Sequence, residues 1–260
     1  MDGKIKIAVC FSGQFRCHYK IINFWVERFF NVFDKNMYDI YIFMYSNNQY
    51  IGTLDEILKN YDGYNLVYKL EDDLDFTAVL KSNIFNIPTA GLVRGGHNQL
   101  LREFHCMDMV INLKSEFEGL NNIKFDYVFR TRYDVMPINN FDVEILSSLD
   151  KNKFYLSNHD HHGGLNARFT VCSSEKSDFV YKIINNIEYV EKTISLFSGE
   201  PYWSSHLKFL NVDVDYIDFK LGLVRDYDNN LPKHEQGCVS LNGHGVYRFN
   251  HREDGKIIID

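Results

Sequence analysis

The first seventy residues alternate between apolar strands and amphipathic helices, and this alternation restricts the chain to few folds. Apolar, β-branched and aromatic segments predict strands, and apolar stripes at helical spacing predict helices between them. The predicted strands are residues 4–11, 38–44 and 64–70, and the predicted helices are residues 22–33 and 54–61. Successive β-α-β units form parallel sheets with right-handed crossovers. We therefore expect an α/β fold with a Rossmann-like, mostly parallel central sheet flanked by helices.

Length and composition favour a single domain. A chain of 260 residues that is 45% hydrophobic can bury a large core, and its four prolines and lack of low-complexity sequence leave no obvious linker. The formal net charge of −7 argues against nucleic acid as the main partner, although basic residues can still be concentrated in a pocket.

Cysteine usage and hydropathy indicate a cytoplasmic protein. The cysteines are odd in number, widely spaced and never arranged as CxxC, which favours reduced thiols over zinc or disulfides: Cys10, Cys17, Cys106, Cys172 and Cys238. Residues 1–4 lead directly into the first predicted strand, and no apolar stretch reaches transmembrane length. We expect the protein to act in the cytoplasm or at the cytosolic face of a membrane.

The segment at residues 125–135, FDYVFRTRYDV, places three charges at a spacing of two at the end of a predicted strand. Alternate residues of an extended segment share a face, so Arg130, Arg132 and Asp134 should leave the strand together. A phosphate-bearing ligand with a divalent cation would satisfy all three groups, because arginine forks match phosphate oxygens and a carboxylate can hold a phosphate-bound metal. The alternative is a set of charges that are solvated or paired with one another.

Polar residues also follow the first predicted strand. In open α/β sheets ligands bind outside the carboxyl ends of the strands, where Ser12, Gly13 and Arg16 lie. The glycine lets the backbone approach a phosphate or ribose, and the arginine supplies charge. Strand-to-helix turns also contain glycine for steric reasons alone, and Arg16 could be an ordinary surface residue.

The rest of the chain continues the α/β pattern. Residues from 98 onward predict a helix, residues 126–129 the central strand, and residues 153–156 and 169–172 two further strands. Apolar residues at 179, 183, 187 and 190 predict one helix, another begins near Trp203, residues 212–224 predict one long strand, and residues 226–260 predict irregular structure. The polar residues 157–164, which include His159, Asp160, His161 and His162, predict a flexible loop that faces the substrate.

Two of these segments resemble a known enzyme family. Residues 7–16, IAVCFSGQFR, resemble the opening SGQxR element of small GT-A type glycosyltransferases found in bacteria and large DNA viruses. Residues 126–134, DYVFRTRYD, are similar to the YDxxxRxRxD element of that family, which stands where other GT-A enzymes carry DxD. The resemblance extends loosely over residues 5–225, and only these two segments are specific.

The resemblance implies a fold, a reaction and a set of site residues. It implies one GT-A-like domain over residues 1–260, with a nucleotide-binding half (1–120) and a metal and acceptor half that ends in a C-terminal wrap (121–260). The implied reaction moves a hexose or pentose from a nucleoside diphosphate sugar to a glycan or other hydroxyl acceptor, assisted by Mn²⁺ or Mg²⁺, in a bacterial or virus-infected host cell. Asp134 would hold the metal together with phosphate oxygens and water. Five residues would bind the donor: Ser12, Gly13, Arg16, Arg130 and Arg132.

The catalytic base is less defined. The family often has an aspartate shortly before the aromatic residue of the strand at Phe169, whereas this chain has Asn166. If that aspartate is the catalytic base, Asp160 or Glu200 would replace it in this chain, and His161 is the next candidate. Glu200 also precedes a proline at a predicted helix start, where an acidic residue serves as a cap and dipole partner. An inverting enzyme needs such a base and a retaining one does not, and the sequence leaves both open.

Two other functions are compatible with these residues. A noncatalytic nucleotide-sugar or glycan-binding protein would keep the arginines and lack the base. A nucleotidyltransferase would also use metal and phosphate contacts, but no glycine-rich, lysine-bearing phosphate loop follows the first strand.

Overall fold

The computed structural model describes residues 3–15, 18–47, 54–72, 74–76, 83–88, 96–158, 161, 164–224, 238–241, 246–251 and 257–259. Within these residues six α-helices are present: α1 (His18–Arg28), α2 (Leu54–Asn60), α3 (Gly96–Asn121), α4 (Ser174–Val180), α5 (Ile187–Val190) and α6 (Gly199–Phe209). The strands are β1 (Ile5–Ser12), β2 (Tyr38–Asn47), β3 (Asn65–Glu71), β4 (Tyr127–Arg132), β5 (Val135–Pro137), β6 (Phe154–Ser157), β7 (Phe169–Cys172), β8 (Val214–Ile217), β9 (Leu221–Val224), β10 (Cys238–Leu241), β11 (Val246–His251) and β12 (Ile257–Ile259).

A seven-stranded sheet forms the centre of the molecule, in the order β3-β2-β1-β4-β7-β6-β8. Strand β1 pairs in parallel with β2 and β4, and β2 pairs in parallel with β3. Strand β7 runs antiparallel to both β4 and β6, and β6 is parallel to β8. The sequence prediction of an α/β fold with a mostly parallel central sheet is confirmed, with β7 as the strand that runs against the others.

Helices cover both faces of this sheet, because the strands are apolar on both sides. On β1, Ile7, Val9 and Phe11 face a core that includes residues of α1 and α2, whereas Ala8 and Cys10 face a core that includes residues of α3 and α6. The predicted stripe on α3 is confirmed, since all four of its residues are buried: Leu100, Phe104, Met107 and Ile111.

The predicted long strand at residues 212–224 is wrong. The segment forms two strands in two sheets: β8 is the edge of the seven-stranded sheet, and β9 belongs to a second sheet with the order β12-β11-β10-β9-β5. Phe219, between them, is only 2% exposed and packs edge-on against Phe141 and Phe169. Burying this ring in the aromatic core turns the chain out of the first sheet.

The single helix predicted through residues 179–190 is also wrong. Helix α4 ends at Val180, a short 3-10 turn follows at Ile184–Asn186, and α5 then begins. Phe179 is 42% exposed, while Tyr181 is buried and its hydroxyl bonds that of Thr170 on β7. The inward turn of Tyr181 breaks the helical stripe.

The C-terminal region departs from the prediction of irregular structure as well. Strands β10, β11 and β12 pair with one another in antiparallel fashion, and β10 pairs with β9. In the part of the chain that the structure describes, no helix combines the length and the hydropathy needed to cross a bilayer.

Candidate functional site

The carboxyl ends of β1, β2 and β4 meet at one edge of the seven-stranded sheet. Ser12 is in register with Tyr45 on one side and with Arg132 on the other. A cleft opens at this edge, with an empty volume of about 660 Å³ that includes solvent at its mouth. Its described lining consists of Ser12, Gly13, Gln14, Tyr45, Ser46, Glu71, Asp72, Leu74, Phe76, Gln99, Arg102, Glu103, His105, Cys106, Arg132, Tyr133 and Asp134.

A charge clamp, formed by Arg132, Asp134 and Glu103, lies in the wall of this cleft. The Arg132 guanidinium donates from Nε to Asp134 Oδ1 at 2.8 Å and from Nη2 to Asp134 Oδ2 at 2.7 Å. On its other side, Nη1 donates to both carboxylate oxygens of Glu103 at 3.1 Å. The guanidinium is therefore held between two carboxylates.

The backbone around the clamp is fixed by both sheets. Strand β4 ends at Arg132 and β5 begins at Val135, so the turn between them carries Tyr133 and Asp134. The Tyr133 ring is buried and packs edge-on against Phe15. The Asp134 carbonyl accepts a hydrogen bond from the backbone N–H of Val224, at the end of β9, at 2.8 Å.

Exposure and charge distinguish the members of the clamp. The side chains of Arg132 and Glu103 are each 22% exposed, whereas that of Asp134 is 5% exposed. Burial acts to lower the pKa of Arg132, but the charges of Asp134 and Glu103 outweigh it and raise that pKa above its ordinary value. Arg132 is therefore a permanent cation at the cleft surface.

The spacing of two residues predicts that Arg130 and Arg132 lie together at the strand end, but Arg130 lies deeper in the molecule. It is fully buried, and its Nε and Nη2 donate to the Ser12 hydroxyl at 3.1 and 2.9 Å while Nη1 donates to the Ala167 carbonyl at 2.7 Å. Burial lowers the pKa of Arg130 to about 10, which still leaves it charged at neutral pH. In this structure Arg130 joins β4, the end of β1 and the segment before β7, and it is absent from the described lining of the cleft.

The other predicted donor residues lie partly in the cleft. Ser12 and Gly13 form its wall, and Gly13 has a φ of +114°, a backbone conformation that favours glycine. The structure thereby gives a conformational reason for the glycine of the turn. Arg16 lies outside the described residues, so its predicted donor contact stays a prediction.

Of the two candidate catalytic bases, the structure describes Glu200 and not Asp160. Glu200 is in the first turn of α6, its backbone carbonyl accepts from Leu165 N at 3.0 Å, and its charge contributes to the raised pKa of Arg132. Asn166, which stands where the family often has aspartate, is 1% exposed and its Oδ1 accepts from the backbone N–H of Arg168 at 2.9 Å.

Sequence reasoning missed Glu71 and His105, which form a second polar group in the cleft with Tyr45. The Tyr45 hydroxyl donates to Glu71 at the end of β3, and it lies 3.4 Å from His105 Nε2 on α3. Burial lowers the pKa of His105 more than the nearby Glu71 carboxylate raises it, so this imidazole is neutral at neutral pH. Position alone could have identified Glu71, since it ends a parallel strand beside the predicted site. Glu103 and His105 lie within a long helix, where their position in the sequence does not indicate that they face the cleft.

The described residues, as arranged, do not fit a metal ion. No three His, Cys, Asp or Glu side chains among them come together in a way that could hold one. Both carboxylate oxygens of Asp134, the predicted metal ligand, accept hydrogen bonds from Arg132. A cation on those oxygens would also lie beside the guanidinium charge.

Comparisons with known proteins give weak likenesses to glycosyltransferases. Xyloside xylosyltransferase 1 from mouse, in its apo form, is 8% identical over 83% of this chain and 85% of that chain, with a TM-score of 0.49. The glycosyltransferase GlyE from Streptococcus pneumoniae TIGR4 is 11% identical over 83% of this chain and 46% of that chain, with a TM-score of 0.44, and its apo form gives the same identity and TM-score. This chain thus spans less than half of GlyE. These TM-scores are too low to transfer residue roles. No family model and no curated protein sequence match the chain.

Proposed function

We propose that this protein is a glycosyltransferase that moves a sugar from a nucleoside diphosphate sugar to a glycan or other hydroxyl acceptor. The observation that carries the proposal is the position of the charge clamp, which lies beside the Ser12–Gly13 turn at the carboxyl edge of a mostly parallel sheet. Ligands of open α/β sheets bind at this edge, and the cleft that opens there is lined by charged and polar side chains.

The chemistry of the cleft suits departure of a diphosphate. As the bond between sugar and diphosphate breaks, negative charge grows on the leaving phosphate oxygens and the anomeric carbon becomes cationic. Cationic and N–H donors fixed beside those oxygens stabilise that charge, and Arg132 is such a cation at the cleft surface. The Gly13 backbone lets the diphosphate approach closely. No step of this proposal passes through a metal ion.

The acceptor hydroxyl must lose a proton during transfer. In an inverting reaction Glu200 or Asp160 would take it, and Glu200 is the described carboxylate of the two, at the start of α6.

We assign residues 1–120 to the nucleotide and residues 121–260 to the acceptor, consistent with Tyr45, Glu71 and His105 lining the cleft from the first half. Cytoplasmic action stays a prediction from the sequence.

A noncatalytic binding protein is the second candidate. The observation that favours it is Asn166, whose buried amide oxygen is engaged by the backbone of Arg168 and which offers no carboxylate for a reaction. Such a protein would bind the same nucleotide sugar through Arg132 without turning it over.

Thermal unfolding with a panel of nucleoside diphosphate sugars, each with Mn²⁺ or with a chelator, tests the proposal. A ligand at about a hundred times its dissociation constant should stabilise the protein by roughly 2.7 kcal/mol. Hydrolysis or transfer of the stabilising donor would then distinguish the enzyme from the binder. The proposal fails when no donor raises the unfolding temperature under either condition.

A further inference from the structure

We propose that the Glu103 carboxylate occupies the position that a phosphate group of the donor takes when it binds. The phosphate replaces Glu103 at Nη1 of Arg132, while Asp134 stays bonded to Nε and Nη2 and keeps the guanidinium in place. This role of Glu103 rests on the proposed function and deepens it. It gives the two carboxylates of the charge clamp opposite effects on ligand binding, since Glu103 competes with the ligand and Asp134 orients the cation that binds it.

The guanidinium holds its two carboxylates by different contacts. Asp134 accepts from two nitrogens of Arg132, Nε at 2.8 Å and Nη2 at 2.7 Å, in a two-pronged contact. Glu103 is bonded through the single nitrogen Nη1, at 3.1 Å to each of its oxygens. Short charge-assisted bonds from two nitrogens are stronger than longer bonds from one. An anion that enters the cleft therefore displaces Glu103 more readily than Asp134.

Exposure and backbone position also distinguish the two carboxylates. The Glu103 side chain is 22% exposed and extends from helix α3, so it can turn toward solvent without moving the backbone. The Asp134 side chain is 5% exposed, and its backbone carbonyl is bonded to Val224 N–H. A buried carboxylate without its cationic partner is strongly unfavourable, whereas an exposed one regains water. Release of Glu103 is therefore the less costly of the two exchanges.

A carboxylate is a chemical stand-in for a phosphate at this place. Both groups present two oxygens that match guanidinium N–H donors, so a phosphate at Nη1 of Arg132 makes the same kind of contact that Glu103 makes now. The described lining of the cleft carries two arginines and four carboxylates, so an entering phosphate also meets repulsion. Removing the Glu103 charge takes away the competitor and the nearest part of that repulsion together.

Calorimetric titration into the full chain tests this role with three probes: inorganic pyrophosphate, uridine diphosphate and guanosine diphosphate, each with Mg²⁺ and with a chelator. Glu103→Gln should bind pyrophosphate, and whichever nucleotide the wild type binds, at least about fivefold more tightly than the wild type does. Damage to the fold would not produce such a gain. Glu103→Ala is the second variant, since alanine suits a helix, and its affinity should change in the same direction.

Two other carboxylates of the cleft serve as controls. Glu71→Gln removes the same charge from the same cleft, but Glu71 contacts Tyr45 and Lys69 in place of Arg132. Its gain in affinity for pyrophosphate, which has no nucleoside, should stay below about twofold, because charges farther apart are screened. Asp134→Asn also removes a negative charge and should nevertheless weaken binding, because the guanidinium loses the contact that orients it. With the chelator present, this loss cannot come from a metal ion.

The outcomes separate the role of Glu103 from the proposed function. If the wild type binds a nucleoside diphosphate and the folded Glu103 variants bind no more tightly, the role of Glu103 is overturned and the proposed function stands. Equal gains in Glu103→Gln and Glu71→Gln also overturn it, because net charge alone would then explain both. A gain in Asp134→Asn contradicts the orienting contact. If neither the wild type nor any variant binds a nucleoside diphosphate in either condition, the proposed function fails and the role of Glu103 with it.

Discussion

The buried guanidinium of Arg130 donates two hydrogen bonds to the single hydroxyl of Ser12, from Nε at 3.1 Å and from Nη2 at 2.9 Å. Ser12 ends β1 and lines the cleft, and Arg130 lies two residues before the end of the adjacent parallel strand β4. The contact therefore fixes the turn that carries Gly13 from inside the molecule. Arg130 acts in this arrangement as a positioning residue beneath the wall of the cleft.

We predict that Ser12→Ala destabilises the protein by about 1.5–3 kcal/mol, because it leaves two donors of a buried cation without their acceptor. In the double variant Ser12→Ala/Arg130→Met the loss of the serine should cost less than it does alone, because the charge is also gone. Urea unfolding of the four proteins in a double-mutant cycle measures the coupling. Additive effects of the two substitutions would contradict the role given to this contact.

Glu200→Gln should leave nucleotide affinity unchanged and lower transfer, provided that Glu200 takes the acceptor proton. Glu175→Gln is the matched control, since Glu175 is also an acidic residue in the first turn of a helix, α4. If Glu200 is only a dipole partner, both variants should lose up to about 1 kcal/mol of stability and keep turnover. Calorimetric donor titration and transfer kinetics, run side by side, distinguish these results.

A buried ion network should make Lys114 far more important to stability than Lys124. Lys114 is fully buried and its Nζ donates to Glu118, Ser174 and Asp178 at 3.1, 2.7 and 2.6 Å. Lys124 contacts the same Glu118 at 2.9 Å but is 62% exposed. Lys114→Met should cost about 3–5 kcal/mol and Lys124→Met less than about 1 kcal/mol, measured by urea unfolding. Similar losses in the two variants would be inconsistent with the burial of the network.

Acid should destabilise the protein through two buried histidines. Burial lowers the pKa of His18 and of His206 to about 4 each. Between pH 6.5 and pH 4 the unfolded chain binds these protons and the folded one does not, so stability is lost as the pH falls through that range. At pH 5 each histidine should account for roughly 2 kcal/mol of the loss relative to neutral pH.

His206→Gln tests that pH dependence. His206 Nε2 lies 2.7 Å from the Val180 carbonyl, and its Nδ1 is buried with no partner among the described residues. Glutamine keeps a donor for the carbonyl and cannot titrate. The variant should therefore lose roughly 2 kcal/mol less than the wild type between pH 7.5 and pH 5, measured as the free energy of unfolding in urea. If the variant and the wild type lose equal free energy of unfolding, groups other than His206 cause the acid sensitivity.

Gly164 should tolerate no side chain. A Cβ added there would lie 2.1 Å from the carbonyl carbon of Glu200, whereas one added at Gly199 would meet nothing within 4 Å. Gly164→Ala should destabilise the protein by roughly 1–3 kcal/mol and displace the start of α6, so transfer should fall too. Gly199→Ala should be neutral or stabilising. Unfolding and transfer assays on both variants check the pair, and a stable, active Gly164→Ala would contradict the close packing of α6.

The elements predicted correctly from the sequence are those with local periodicity. The composition of β1, β2 and β3 predicts their type, and the apolar stripe of α3 predicts both its type and its buried face. Strands β10, β11 and β12 were predicted as irregular structure because polar residues surround them, and their strand form depends on pairing partners that periodicity does not reveal. The strand predicted at residues 212–224 was wrong for a similar reason. Phe219 interrupts it by packing against aromatic rings from distant parts of the chain.

The candidate site shows the same division. The spacing of two between Arg132 and Asp134 predicted their common location, which the structure confirms through their hydrogen bonds. The same spacing could not predict that Arg130 is buried, because a shared strand face says nothing about depth below the surface. Glu103 is one of several acidic residues on α3, and it reaches the site because that helix packs against β1 and β2.

The turn between β4 and β5 places the two charges of the clamp in different structural layers. Arg132 is the last residue of a strand in the seven-stranded sheet, whereas the Asp134 backbone is bonded to Val224 at the end of β9 in the five-stranded sheet. A shift of one sheet against the other therefore changes the separation of guanidinium and carboxylate directly. A displacement of β9 would therefore reach the ion pair in the cleft through the Asp134 backbone.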